Sequence, residues 1–399
     1  MEFPKSNLEW LYDDTIFLTE HGSQAYGTST PTSDTDYKGV AIPPARYFHG
    51  YLERFDQAEF RKPNPDMVIY DIRKFFKLAA DCNPSIIEVL FTDERNHVLV
   101  NGFGKRLLEN RDLFISKKAK HTFSGYAISQ LKKIKSHYRW IKNPPKAPPT
   151  RDEFGLPERT VIPADQLKAA QSMIRKQIDQ WNVPIDELDD AARIAVQERF
   201  TEALALIEIG ARAELLARLD AESPEYPATI FDEGFNHAVE IVRGASGVNL
   251  ERISGNLLGF SDNFLELLDQ ERTYKNRMEE WRSYQNWLAT RNATRSELEV
   301  KYGYDTKHGM HLVRLIRMGE EILMGKGVIV RRPDADELLA IRNGAWTYEF
   351  LLDWADRKLE TLERLYQNST AVPGAPDRPR LDSLCQDLVD RWLDGDTAK

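Results

Sequence analysis

The stretch that most limits what this chain can become is residues 16 to 42, IFLTEHGSQAYGTSTPTSDTDYKGVAI. An apolar run, Ile16-Phe17-Leu18, leads into Gly22-Ser23. A short polar segment follows, and Asp34-Thr35-Asp36 opens a second β-like run through Val40-Ala41-Ile42. Side chains two residues apart on a strand point to the same face, so this spacing sets Asp34 and Asp36 side by side. Paired carboxylates suit a hard divalent ion such as Mg²⁺, which takes oxygen ligands and keeps positions open for phosphate oxygens. Gly22 lets the backbone approach a phosphate, Ser23 adds a hydroxyl donor, and the amides opening a helix after them favour an anion. Ser23 and Asp34 are eleven residues apart, the span of one strand-helix-strand step.

Gly-Ser, a short helix, then Asp-x-Asp on the next strand resembles the signature of the DNA polymerase beta-like nucleotidyltransferase superfamily. Two further stretches, NPSIIEVLF (Asn83 to Phe91) and YGYDTKHGMHLVRLIRMGEE (Tyr302 to Glu321), resemble segments of its RNA-ligase-associated, YcgL-like group. The resemblance covers residues 16 to 95 and about 300 to 345, and covers the middle poorly. It implies an α/β fold: a small mixed sheet of polymerase-beta type, followed by a mostly helical domain. It also implies a third carboxylate, on a strand beside the Asp-x-Asp strand and flanked by apolar residues. Ile86 to Phe91 reads as such a strand, and Glu88 lies in it between Ile87 and Val89; a carboxylate there is costly to bury unless it pairs or binds metal. Asp71, between Tyr70 and Ile72, is the alternative.

A second element bears on phosphate chemistry. Asp305 reads as the N-cap of a helix on which Lys307, His311 and Arg314 share one face, with Leu312, Leu315, Ile316, Ile322 and Leu323 opposite. Over the Asp34/Asp36 cleft, Lys307 and Arg314 would neutralise the phosphates of an NTP, the electrostatic task in phosphoryl transfer. His308 and His311 are three apart, but no third ligand at suitable spacing accompanies them, so they do not read as a metal pair.

The rest of the chain divides as follows: 1–95 the nucleotidyltransferase core, 96–142 a basic helical segment, 143–163 a Pro-rich linker, 164–300 a helical insertion, 301–367 a helical region with the phosphate-facing helix, and 368–399 a linker and terminal helix. In the core, Met67 to Tyr70 reads as a strand and Asp71 to Ala80 as a helix ended by Pro84. Ala191 to Leu219 reads as one long or broken helix. The formal net charge of −9 argues against a protein that coats nucleic acid without specificity. Lys105 to Lys146 nevertheless holds twelve Lys/Arg against Glu109 and Asp112. Within it Ala127, Leu131, Ile134, Tyr138 and Ile141 make an apolar helix face, and Lys132, Lys135, Arg139 and Lys142 a basic stripe beside it, suited to phosphates. Cys82 and Cys385 fit neither a zinc pattern nor a disulfide framework. With no apolar stretch of membrane length and no signal-peptide form at the N-terminus, the cytoplasm is the expected compartment.

The expected chemistry is transfer of NMP from an NTP to a hydroxyl with Mg²⁺ or Mn²⁺. Asp34, Asp36 and Glu88 would hold metal, and Gly22, Ser23, Lys307, His311 and Arg314 would hold the nucleotide. An RNA or tRNA end is the favoured acceptor. A protein or small-molecule acceptor, and a non-catalytic NTP-binding or scaffold protein, are the alternatives.

Overall fold

The computed structural model describes residues 4–61, 65–180, 251–252, 254–256, 258–291 and 293–395. The helix expected over Ala191 to Leu219 lies outside them. The chain forms two compact units, one from residues 1–144 with 290–399 and one from 145–289.

The first unit is built on a five-stranded mixed sheet in the order β3-β4-β2-β1-β5. The strands are β1 (Thr15–His21), β2 (Asp36–Ala41), β3 (Gln57–Phe60), β4 (Met67–Asp71) and β5 (His97–Val100). β1 pairs antiparallel with β2 and β5, β2 parallel with β4, and β3 antiparallel with β4. β3 and β5, both at the edges, are short and carried no clear sequence signal. β1 is buried on both faces, and Val40, Ala41 and Ile42 after it and Met67 and Ile69 on one face of β4 are inaccessible as well, which is why these apolar runs are legible.

Between β1 and β2 sits a single helical turn, α1 (Ser23–Tyr26), and after it the turn α2 (Arg46–His49). Asp71 ends β4 and caps α3 (Ile72–Ala80), its carboxylate accepting from the Arg73 amide at 2.7 Å and the Lys74 amide at 3.3 Å. The expected strand over Ile86 to Phe91 is instead a helix, α4 (Pro84–Leu90). Pro84 does not end a helix; it starts one, because a missing N–H and a fixed φ suit the first helical turn. Ile86, Ile87, Val89 and Leu90 are all buried; a short run apolar on every side does not separate strand from buried helix by periodicity.

Beyond the sheet come α5 (Gly102–Glu109) and the long α6 (Lys118–Lys142), whose Ala127, Leu131 and Ile134 are buried and whose Lys132, Lys133, Lys135, Arg139 and Lys142 are exposed. The second unit contains α7 (Ala164–Gln180) and most of α8 (Asp262–Thr290), with Arg151 paired to Glu271 inside it. Returning to the first unit, the chain forms α9 (Ala293–Tyr302), α10 (Thr306–Leu323), α11 (Ala335–Arg342), α12 (Tyr348–Asn368) and α13 (Arg378–Leu393). α10 packs against α6, α11 and α12. Surrounded in this way it is not an amphipathic surface helix: Leu312, Val313, Ile316 and Met318 are inaccessible, and so, almost wholly, is Arg314. No helix among the described residues is long and apolar enough to cross a membrane.

Candidate functional site

The ladder between β1 and β2 ends where His21 faces Asp36, and Gly22 turns the chain off the sheet at that point with φ +66°. A side chain at this position would place its Cβ 2.5 Å from Asp36 Oδ2. Gly22 is thus demanded twice, by its left-handed backbone and by the carboxylate under it. Ser23 follows at the start of α1. A single turn has little macrodipole, so what α1 offers a phosphate is its first amides.

Asp36 is half-buried at the first residue of β2, whereas Asp34 is exposed and precedes the strand. The same-face rule for residues on one strand therefore does not place this pair. The ladder starts only at Asp36 because its partner strand ends opposite it. The turn before it is closed by hydrogen bonds between Thr30 and Ser33. On the other side, Tyr37 pairs with Met67 at the start of β4, and its amide donates to the Asp66 carbonyl at 2.8 Å, which sets Asp66 beside Asp36. Burial first, and then the Asp66 and Asp34 carboxylates, raise the Asp36 carboxyl above its ordinary range, against the opposing pull of Lys38 and Lys307. Asp36, directly under the Gly22 turn and within electrostatic reach of Asp34 and Asp66, offers oxygen of the kind a hard divalent cation takes.

Glu88 stands elsewhere in this arrangement from where the sequence put it. It projects from α4, 2% exposed, and forms an ion pair with Arg314 of α10. Tyr26 donates its hydroxyl to the second carboxylate oxygen at 2.5 Å, His21 Nε2 stands 3.4 Å from that oxygen, and the Arg314 guanidinium lies 3.8 Å above the Tyr26 ring. Burial alone would raise the Glu88 carboxyl, but Arg314, His21 and Tyr26 together hold it well below the usual range. The carboxylate is neutralised by protein groups, and Arg314 is spent on it; a phosphate contact from Arg314 would require breaking a buried pair. Asp71, the alternative third carboxylate, is occupied by its α3 cap and by Arg73 at 2.8 Å.

Of the α10 residues, Lys307 feels Asp36 electrostatically, and His311 is pushed well below its ordinary pKa by burial and then by Arg314 and Lys307, so its imidazole is neutral. Lys38 is missing from the sequence reading. Two residues on from Asp36, it lies on the same strand face, lowered by burial and held between Glu88 and Asp36; strand alternation was the available signal. Tyr26 and His21, inside the quoted stretch, carried no signal, since only the fold brings them to Glu88. Asp66 likewise is identified by register alone.

Residues 7–143 match the RlaP family model, described as RNA repair pathway DNA polymerase beta family. A segment of the chain is also 33% identical over 129 residues to an uncharacterized 38.9 kDa protein in the nrdC-mobD intergenic region of Enterobacteria phage T4. That alignment covers 30% of this chain and 38% of the phage protein, so the chain spans well under half the length of that relative. No solved structure matches the chain. The whole sheet, with α3 to α6, falls within the family match, which is consistent with a polymerase beta-like nucleotidyltransferase family.

Proposed function

We propose that this chain transfers a nucleoside monophosphate from an NTP to a hydroxyl at an RNA end. The observation that carries the reading is Asp36 lying directly beneath the Gly22 turn, within electrostatic reach of the Asp34 and Asp66 carboxylates and of Lys38 and Lys307. Asp34, Asp36 and Asp66 would hold the divalent cation, Mg²⁺ or Mn²⁺; Asp66 takes the third place that sequence reading assigned to Glu88. When bound, the ion supplies Lewis-acid stabilisation of the charge on the triphosphate and acidifies the acceptor hydroxyl.

The residues of the chain do the rest. The amides after Gly22 and the Ser23 hydroxyl cradle the triphosphate, while Lys38 and Lys307 offset the charge that builds on the leaving pyrophosphate. Neutral His311 beside Lys307 is suited to a hydrogen bond rather than to charge. The acceptor oxygen forms a bond to the α-phosphorus, the bond from that phosphorus to the bridging oxygen breaks, and pyrophosphate leaves. The acceptor proton would pass to an exposed carboxylate of the cluster, Asp34 or Asp66. The Glu88–Arg314–Tyr26–His21 cluster supports the site from below by fixing α4, α1 and α10 to one another. The exposed cations of α6 favour an RNA backbone as the acceptor's source of phosphate contacts, and the RNA-repair description of the matching family agrees with this.

The test is label transfer from each α-labelled NTP, with Mg²⁺ or Mn²⁺, to a pool of cellular RNA and protein, beside an Asp34→Ala/Asp36→Ala variant. Label on RNA that falls by about a thousandfold or more in the variant is expected. Label on protein redirects the reading to protein nucleotidylation, and no metal-dependent transfer to either pool refutes it.

A further inference from the structure

Apart from the Asp36 cluster, and sharing no residue with it, three helical segments of the first unit bring metal-ligating side chains together. His137 comes from α6, Glu299 from α9, and Asp305 and His308 from the first turn of α10. His308 Nε2 is 3.4 Å from Asp305 Oδ2, and His137 Nδ1 is 3.8 Å from the same oxygen and 3.7 Å from Glu299 Oε1. The side chains are 17%, 3%, 13% and 2% exposed for His308, Asp305, His137 and Glu299, so the group is enclosed rather than a solvated acidic patch. One ligand atom from each of His137, Asp305 and His308 lies within 4.8 Å of the others.

The outward-facing atoms of these side chains are anchored. His308 Nδ1 is 2.7 Å from Gln130 Oε1 of α6, which as an acceptor fixes the proton on Nδ1 and turns the Nε2 lone pair toward Asp305. Asp305 Oδ1 accepts from the His308 amide at 3.0 Å as the helix cap, and Glu299 Oε2 is held by Arg291 at 2.6 and 2.8 Å. Two imidazole nitrogens and one carboxylate oxygen are left to converge, with Glu299 Oε1 beside His137. Hydrogen bonds that orient ligands from behind in this way are the usual outer layer of a protein metal site. A zinc ion with ligands at about 2.0–2.1 Å separates them by about 3.3 Å in a tetrahedron, close to the spacings here.

We propose that His137, Glu299, Asp305 and His308 form a divalent transition-metal site, with a donor set of two nitrogens and two oxygens best suited to Zn²⁺. The ion fastens the start of α10 to α6 and α9, and so holds the turn from which Lys307 projects. His308 pairs not with its sequence neighbour His311 but with a histidine in another helix, 171 positions earlier in the chain (308 minus 137). The site stands independently of the nucleotidyl-transfer reading, because none of its ligands belongs to the Asp36 cluster and none of its readouts depends on transfer activity.

Metal content of full-length protein, purified without chelator or histidine tag, is measured directly; the stripped protein is then titrated with Zn²⁺ against a chromogenic chelator and with Co²⁺ by visible absorption. Expected are one equivalent of Zn²⁺ bound by this cluster, intense ligand-field bands from tetrahedral Co²⁺, and a melting temperature that rises with Zn²⁺. His308→Ala and His137→Ala should abolish all three, Gln130→Leu should weaken Zn²⁺ binding by about 10- to 100-fold, and Asp34→Ala/Asp36→Ala should retain them. Absence of Co²⁺ bands in the unmutated protein overturns the proposal without reliance on any variant's folding. Zn²⁺ binding that survives unchanged in well-folded His308→Ala overturns it as well.

Discussion

Removing one half of the Glu88–Arg314 pair should cost far more than removing both. The side chains are 2% and 6% exposed, so Glu88→Gln leaves a guanidinium in the interior with its countercharge gone, and Arg314→Met leaves a carboxylate with His21, Tyr26 and the more distant charge of Lys38, but without its ion-pair partner. Breaking a buried pair from one side costs about 3–5 kcal/mol, whereas replacing both charges with neutral groups of similar volume is often close to neutral. Glu88→Gln/Arg314→Met should therefore lie within about 1–2 kcal/mol of the unmutated protein, a coupling of about 3 kcal/mol or more between the two sites. The single variants differ in one respect. A Glu88 carboxyl without Arg314 is governed by burial and escapes its penalty by taking up a proton, so Arg314→Met should recover stability relative to the unmutated protein as the pH falls from 8 to 5, and Glu88→Gln should not. Urea unfolding followed by tryptophan fluorescence and circular dichroism, with the two probes coincident, measures all four proteins. A coupling below about 0.5 kcal/mol, or single variants as stable as the parent, would show that the pair does not hold α4 to α10.

Acid should weaken the fold before carboxylates titrate. His21 is pushed from 6.5 to about 4, chiefly by burial, so between those values the unfolded chain binds a proton that the folded chain refuses. Its contribution is complete above about pH 6.5 and falls by about 3 kcal/mol on approach to pH 4; Glu88, held below its ordinary 4.5, adds to the loss only beneath that value. The urea midpoint in chelator should drop over this window, and less in His21→Asn; a flat profile would contradict the neutral assignment. At φ +66° and ψ −140° Gly22 occupies backbone space that a side chain strains, so Gly22→Ala should cost about 1–3 kcal/mol, and displace Asp36 as well. A rise of tenfold or more in the KM for NTP is expected, read by the label-transfer assay, and an unchanged KM would remove Gly22 from the site. Lys38→Met should lower transfer by about tenfold or more if Lys38 serves the leaving pyrophosphate, whereas a fall in stability alone would confine it to the ion-pair cluster.

Much of the first unit's sheet could be read from local sequence. β1 is buried on both faces, and the end of β2 and one face of β4 are buried too, so each carries an apolar run; Asp305 announces α10 as its cap, and Gly22 is demanded by a backbone only glycine adopts easily. The edge strands β3 and β5 escaped because a short edge strand has only half its neighbours to satisfy. α4 was misread because a segment buried on every side has lost the periodicity that separates helix from strand. What only the tertiary structure decided is which charges meet. Glu88 and Arg314 are 226 positions apart, Asp66 reaches Asp36 through parallel register, and His137 reaches His308 through the packing of α6 on α10. Local sequence sets backbone preference and burial through neighbours three or four residues away; the partner of a buried charge is chosen by long-range packing, and that partner decides whether a carboxylate is left to hold a metal or is already spent on an arginine.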